Sequence, residues 1–217
     1  MSAILMCLTD VTMYLKYLVL DLIKHKLAIL YCGWYLNRVF AKAKLPPESF
    51  HVSWTRLLLH DLSKFRMDEF VPYARFFRGN KDEHCREFEK ACRRHFLRND
   101  HHSEYWDLAS YKMSWEALLE LVTDWFAAEF SYNGSWPRPG LWLWVQRNWN
   151  NPDKLKFHPQ TKILLQALLC FLGFAEDVGG FPVVNLDYTH EGDLDLEHTE
   201  RFKELSIAYR QTIKKKQ

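Results

Sequence analysis

The spacing of apolar residues limits this chain's fold more than any other feature. They recur every three and four positions over long stretches, and no run alternates residue by residue as a half-buried strand does. No internal repeat is visible. An all-α fold is therefore expected. The first helix is predicted from about Thr12 to Ala43, with room for a break, and stops at Leu45-Pro46-Pro47. Further helices are predicted over Ser49–Lys64, over Asp68–Phe77 ending near Gly79-Asn80, and from Asp82 as N-cap to Arg98. Asn99–Asp107 reads as a turn or short helix, and Ser114–Tyr132 as a fifth helix. A loop from Asn133 to Gly140 leads into the Trp-rich stretch Leu141–Trp149. Thr161–Phe174 and Leu196–Lys215 read as helices flanking an acidic loop, Gly179–Asp195. Residues 1–150 are expected to form one helical domain, with 151–217 a C-terminal helical extension packed on it as one unit.

Composition narrows the class. Hydrophobic residues make up 48% of the 217, enough for a real core and too many for a disordered chain. The 29 Lys and Arg nearly balance the 27 Asp and Glu, which argues against a general nucleic-acid binder. The five Cys are odd in number and scattered, without a CxxC pair, and read as reduced thiols of a cytoplasmic protein. Asp10, Lys16 and Asp21 interrupt the apolar N-terminus. No stretch reaches the roughly 18 apolar residues of a membrane span, and the start lacks the features of a secretion signal.

The chemistry-bearing residues cluster. Six of the 10 His lie between His51 and His102. His60 and Asp61 close the apolar run Leu57-Leu58-Leu59, and Lys64 follows four and three residues later. On a helix that spacing gathers all three on one side. A metal ion would satisfy the first two and a bound phosphate the third; a solvated helix C-terminus is the plain alternative. His25 shares a face with Leu18, Leu22, Ile29 and Cys32, as a ligand or as a hydrogen-bonded core residue. His95 faces inward with Cys85, Phe88, Ala91 and Cys92. Asn99 to Trp106 is dense in ligand-type side chains, and of the adjacent His101 and His102 one is expected to ligate while the other donates a hydrogen bond. Asp124 lies among Ala117, Leu121 and Ala128, where a carboxylate needs a cation or several donors. Helices packed together would point this nitrogen and oxygen set at one centre suited to one or two divalent transition-metal ions, Mn, Fe, Co, Ni or Zn.

This order resembles the HD superfamily of metal-dependent phosphohydrolases, whose signature is His…His-Asp…Asp on a helical fold. His25, His60, Asp61 and Asp124 match it. The additional His95 and His101-His102 resemble the two-metal members, among them the HD-GYP phosphodiesterases. Here Ser63 stands where those have Gly, Ser103 is inserted before Glu104, and Gly-Tyr-Pro is missing, so cyclic-di-GMP is not carried over as substrate. A closer resemblance is to a small HD-like family of unassigned function, with a His-Asp-x-Ser-Lys-Phe motif, then Glu-Phe, then Asn-x-His-His-x-Glu-Tyr-Trp. These are His60 to Phe65, Glu69-Phe70 and Asn99 to Trp106 in this chain, and the likeness spans about His25 to Phe130.

The resemblance implies hydrolysis of a nucleotide or other phosphoester by a metal-activated water. Asp61 would bridge two ions, with His25, His60 and Asp124 on one and His95 with His101 or His102 on the other. Lys64 would neutralise a phosphate oxygen, and Glu104 would orient a ligand His or shuttle a proton. Arg94, Arg98 and Lys24 would contact phosphate or lie solvated, and Tyr105 or Trp106 would stack on a base or simply pack. The alternatives are a di-iron oxygenase of the same ligand order and a non-catalytic nucleotide- or partner-binding protein.

Overall fold

The computed structural model describes residues 3–138, 142, 145, 148, 155–174 and 195–214. Among them every regular element is helical and no strand occurs, so the fold is all-α. None of the described helices is long and apolar enough to cross a membrane.

The chain opens on one unbroken helical rod: α1 (Ala3–Lys16), a wider π-helical segment (Tyr17–Ile23) and α2 (Lys24–Lys42). The expected break is thus a change of pitch rather than an interruption. The rod ends where Lys44 takes a positive φ of 60°, just before Leu45-Pro46-Pro47.

Helix α3 (Trp54–Leu59) is much shorter than the predicted Ser49–Lys64. Its start is delayed because the Asn37 amide donates to the Val52 carbonyl (3.0 Å) and accepts from the Val52 N–H (2.6 Å), holding that segment extended. The Ser53 hydroxyl then caps the helix. Its end is forced at Asp61, whose φ of 55° is left-handed, and a short 3₁₀ turn, Leu62–Phe65, follows. His60, Asp61 and Lys64 therefore do not share one continuous helix. The Lys26 ammonium satisfies the freed carbonyls of Leu57 (3.1 Å) and His60 (2.5 Å).

Helix α4 (Met67–Arg78) contains Pro72, which lacks the N–H that would bond the Asp68 carbonyl. Arg94 from α5 (Lys81–Arg98) donates to that carbonyl instead, at 2.5 Å. The N-cap of α5 is Asn80, which accepts from the N–H groups of Asp82 and Glu83; the expected cap, Asp82, lies inside the first turn. A 3₁₀ stretch, Ser103–Ala109, leads to α6 (Trp115–Asn133), capped by Ser114 and ended by Gly134 at φ 72°. Helices α7 (Pro159–Phe171) and α8 (Leu196–Lys214) follow.

Helix α6 is central: residues around its whole circumference, from Trp115 to Ala127, are buried. One apolar core joins α2 (Ile29, Leu36), α6 (Leu118, Val122), α7 (Leu164, Leu168) and α8 (Leu205). A smaller cluster, Tyr17, Leu22, Tyr73, Ala74 and Ala91, seals α4 and α5 against the π segment. Polar side chains collect between these two cores. Gly33 permits close contact between α2 and α3, since a Cβ at that position would stand 2.2 Å from Leu57 Cδ1. Of the Trp-rich stretch, Trp142 is fully buried against Trp125 and Phe126, and Trp136 stacks on Phe130. Val145 is buried as well; apart from it and Asn148, the rest of that stretch and the acidic loop before Asp195 lie outside the described residues.

Candidate metal centre

Five segments bring the predicted ligands together. His25 comes from α2, His60 and Asp61 from the end of α3, and His95 from the last turn of α5. His101 and His102 come from the turn after it, and Asp124 from α6. His25, His60, Asp61, His95 and His101 are buried, and Asp124 keeps 15% of its side chain exposed.

Their geometry divides about Asp61. On one side His60 Nε2 lies 3.4 Å from Asp61 Oδ2 and 3.5 Å from Asp124 Oδ1, and His25 Nε2 lies 3.1 Å from Asp124 Oδ1. On the other side His95 Nε2 and His101 Nε2 lie 3.2 and 3.4 Å from Asp61 Oδ1. His102 Nε2 is 3.1 Å from His95 Nε2. Both adjacent histidines thus join the same group, where only one was expected. They sit in a turn rather than a helix or strand, and their rings lie side by side with centroids 4.3 Å apart. Asp61, His95, His101 and His102 each offer a ligand atom, all within 4.8 Å of one another, and so do His25, His60 and Asp61.

The inward atoms lack ordinary partners. The Nε2 atoms of His25, His60 and His101 and Oδ1 of Asp61 are buried without an aligned hydrogen bond. A buried polar atom left unpaired is destabilising. Several such atoms converging on common points are what a cation would satisfy, so this buried set can hold a metal ion.

The outward ring nitrogens are held. His60 Nδ1 donates to Glu120 Oε1 (2.8 Å), and His101 Nδ1 lies 3.3 Å from the same oxygen. His95 Nδ1 donates to Glu69 Oε2 (3.1 Å), which also accepts from the Ser63 hydroxyl (2.8 Å). His25 Nδ1 lies 3.3 Å from the Ser131 hydroxyl. A carboxylate on Nδ1 places the proton there and leaves the Nε2 lone pair facing the centre, the usual arrangement behind metal-bound imidazole. Arg56 Nε pins Glu120 Oε2 at 2.7 Å, and Arg98 pins Glu69 Oε1 at 2.6 Å.

Electrostatics follow from this packing. Burial pushes the carboxyls of Asp61 and Asp124 up, but the surrounding histidines, with Lys64 beside Asp61, hold both well below the ordinary range. Burial lowers His60, yet Asp61, Asp124 and Glu120 raise it well above its usual value; His101 is raised too, against burial and His60, by its bonds to Asp61 and Glu120. His25 and His102 are lowered, chiefly by burial.

The remaining predicted residues fall variously. Lys64 Nζ pairs with Asp61 Oδ2 at 2.5 Å, with 13% of its side chain exposed. Glu104 accepts from the Ser103 hydroxyl (3.2 Å) and makes no hydrogen bond to the cluster; the work of orienting ligand rings falls to Glu120 and Glu69 instead. Arg94 is committed to α4. Arg98, bonded to Asp68 and Glu69, lines a cleft of about 250 Å³ with Tyr105, Arg56, His60, His101 and Glu120. Lys24 bonds the Ser131 carbonyl. Asp21 pairs with Arg78 through both oxygens and stands apart. Glu120 had a legible signal, since it lies one turn before Asp124 on the same helix face. Glu69 had none beyond its place in a motif, yet it is wholly buried.

The class is therefore a helical protein built around a buried histidine–carboxylate centre able to hold metal. A family model described as "Family of unknown function (DUF5662)" matches residues 16–170, well over half of the chain, and the chain belongs to that family. The match contains every residue of the cluster. No curated protein and no solved structure matches the chain.

Proposed function

We propose that the chain is a metal-dependent phosphohydrolase of the HD type, acting on a nucleotide or another phosphoester. The observation that carries the reading is the division of the ligand atoms about Asp61, with one carboxylate oxygen turned to each set. His25, His60, Asp61 and Asp124 would hold one divalent transition-metal ion, and Asp61, His95, His101 and His102 a second. Ions of this class, when bound, polarise phosphoryl oxygens and bring a water's pKa near neutrality.

The chain's own groups supply the rest. The Lys64 ammonium has three N–H donors and spends one on Asp61, leaving two for phosphate oxygens as negative charge builds there. The Arg98 edge of the cleft would screen the anion, and Tyr105, 49% exposed at its mouth, offers a face for a base. Arg94 and Glu104 have no part in this account.

The test is hydrolysis of a panel of phosphomonoesters, phosphodiesters and nucleotides by protein reconstituted with Mn²⁺ or Co²⁺. One class should be hydrolysed, with Lys64→Ala lowering kcat on the order of 10²–10³-fold and Asp61→Ala abolishing turnover. No hydrolysis of any member by fully loaded protein overturns the reading.

A further inference from the structure

The geometry points to Glu120 as the positioning residue that couples the two halves of the centre. This inference rests on the two-ion reading above. Its carboxylate lies together with His60 and His101 in a third buried group of possible ligand atoms, and it holds a ring from each half. Oε1 takes His60 Nδ1 at 2.8 Å and lies 3.3 Å from His101 Nδ1. His60 belongs with His25 and Asp124, His101 with His95 and Asp61 Oδ1. The other holders serve one ring each: Glu69 serves His95 and Ser131 serves His25. Arg56 fixes Oε2 and is itself anchored on Asp100, so the carboxylate cannot swing toward either ring at the other's expense. Glu120 is 4% exposed, so no solvent group replaces it.

Such an arrangement links the ring orientations. Fixing His60 Nε2 on one ion would tighten the Glu120 bond and with it the His101 ring, so the residues that would hold the second would already be oriented. Loading is cooperative, and one substitution at Glu120 weakens both ions.

Gln is the informative replacement. An amide has one acceptor oxygen and one NH₂. Arg56 needs an acceptor on one side and the imidazole pair needs one on the other, so Gln must fail one of them.

The experiment is Co²⁺ titration of the apo-protein, followed by the cobalt absorption bands and by calorimetry. Wild type should take two ions, the second at least as tightly as the first. Glu120→Gln should raise both dissociation constants together, on the order of 10–100-fold. Glu69→Gln should raise only one. If Glu120→Gln does not fold, as judged by circular dichroism of the apo form, Arg56→Ala frees the same carboxylate and should show the same paired weakening. Loss of affinity for one ion alone, or for neither, in a wild type that binds two would overturn this inference and leave the two-ion reading standing. A wild type that binds fewer than two overturns both.

A different observation concerns the outer face of the helical rod. Leu8, Leu15, Val19, Leu27, Tyr31 and Trp34 are 41–62% exposed, and ten large apolar residues between Leu8 and Tyr35 share this exposure. At 100° per residue a step of four overshoots an α-turn by about 40°, which would wrap the stripe around the rod. The wider turn over Tyr17–Ile23 undershoots and brings it back. The stripe therefore runs straight for about 40 Å while Tyr17, Leu22 and Ile29 stay buried on the opposite face.

We infer that its occupant is the same stripe of a second copy, packed antiparallel about a two-fold axis. Ten side chains, each about half exposed, amount to on the order of 800 Å², the share one partner brings to a standard interface. A partner of equal length and straightness is what a second rod supplies.

Light scattering of the full chain at micromolar concentration should give twice 26.0 kDa. Val19→Glu with Leu27→Glu should give the monomer mass with unchanged circular dichroism. A wild-type monomer overturns the inference, as does a double variant that stays dimeric; wild-type monomer that co-sediments with phosphatidylserine vesicles assigns the stripe to lipid instead.

Discussion

At Asp61 the backbone turns left-handed, which ends α3 and aims the two carboxylate oxygens at different histidines. A non-Gly residue in that region costs about 1–3 kcal/mol, though Asp is among the side chains that tolerate it best. The strain sits at the residue the site needs most. The histidines around it differ in their protons. His60 and His101 gain carboxylate partners on folding and are raised, so their contribution to apo stability is present below about pH 6.5 and is lost as pH rises through their folded values. His25 and His102 are lowered and already neutral near pH 7. An ion needs all four neutral. Calorimetry at pH 7 in buffers of different ionisation enthalpy should therefore show proton release on loading, and Glu120→Gln, which removes charge from beside His60 and His101, should reduce it. Equal release from the variant would contradict this assignment.

Two contacts between elements make direct stability predictions. Arg94 serves the Asp68 carbonyl that Pro72 leaves open, so Arg94→Met should destabilise the fold by about 1–3 kcal/mol, and Pro72→Ala in the same chain should restore part of it. Additivity of the two in denaturant melts would refute the link. Gly33→Ala should cost about 1–3 kcal/mol by overpacking, because its Cβ meets the side chain of Leu57, which is 0% exposed in the close-packed core. An unchanged midpoint would show that α3 yields. At this scale the sequence is legible where periodicity and punctuation agree. The C-terminal end of the rod, α4, α6 and α8 fall within a few residues of their predicted bounds, whereas the rod begins at Ala3, well before the predicted start near Thr12. Helix α3 was overextended because what shortens it is not periodic: an Asn37 amide reaching Val52 from another helix, and a left-handed Asp61. The inward ligands were readable as polar residues on apolar faces. Glu69 was not, because its burial is created by Arg98 and His95 arriving from α5.

The whole molecule places its polar centre between two apolar clusters, so metal loading and folding are linked. Loaded protein at an ion concentration 100 times the dissociation constant should gain about 2.7 kcal/mol, a rise in Tm of roughly 5–10 °C for a domain of this size. A chelator should reverse it. An identical melting curve with and without ions would mean that the centre is closed to them. The most direct test of the central claim is metal content per chain by elemental analysis, on wild type and Asp61→Ala purified without chelators and reconstituted with Mn²⁺, Fe²⁺, Co²⁺, Ni²⁺ or Zn²⁺ in turn. About two ions per wild-type chain and far fewer in the variant are expected. No bound ion in wild type with any of the five, or equal content in both proteins, would contradict the account.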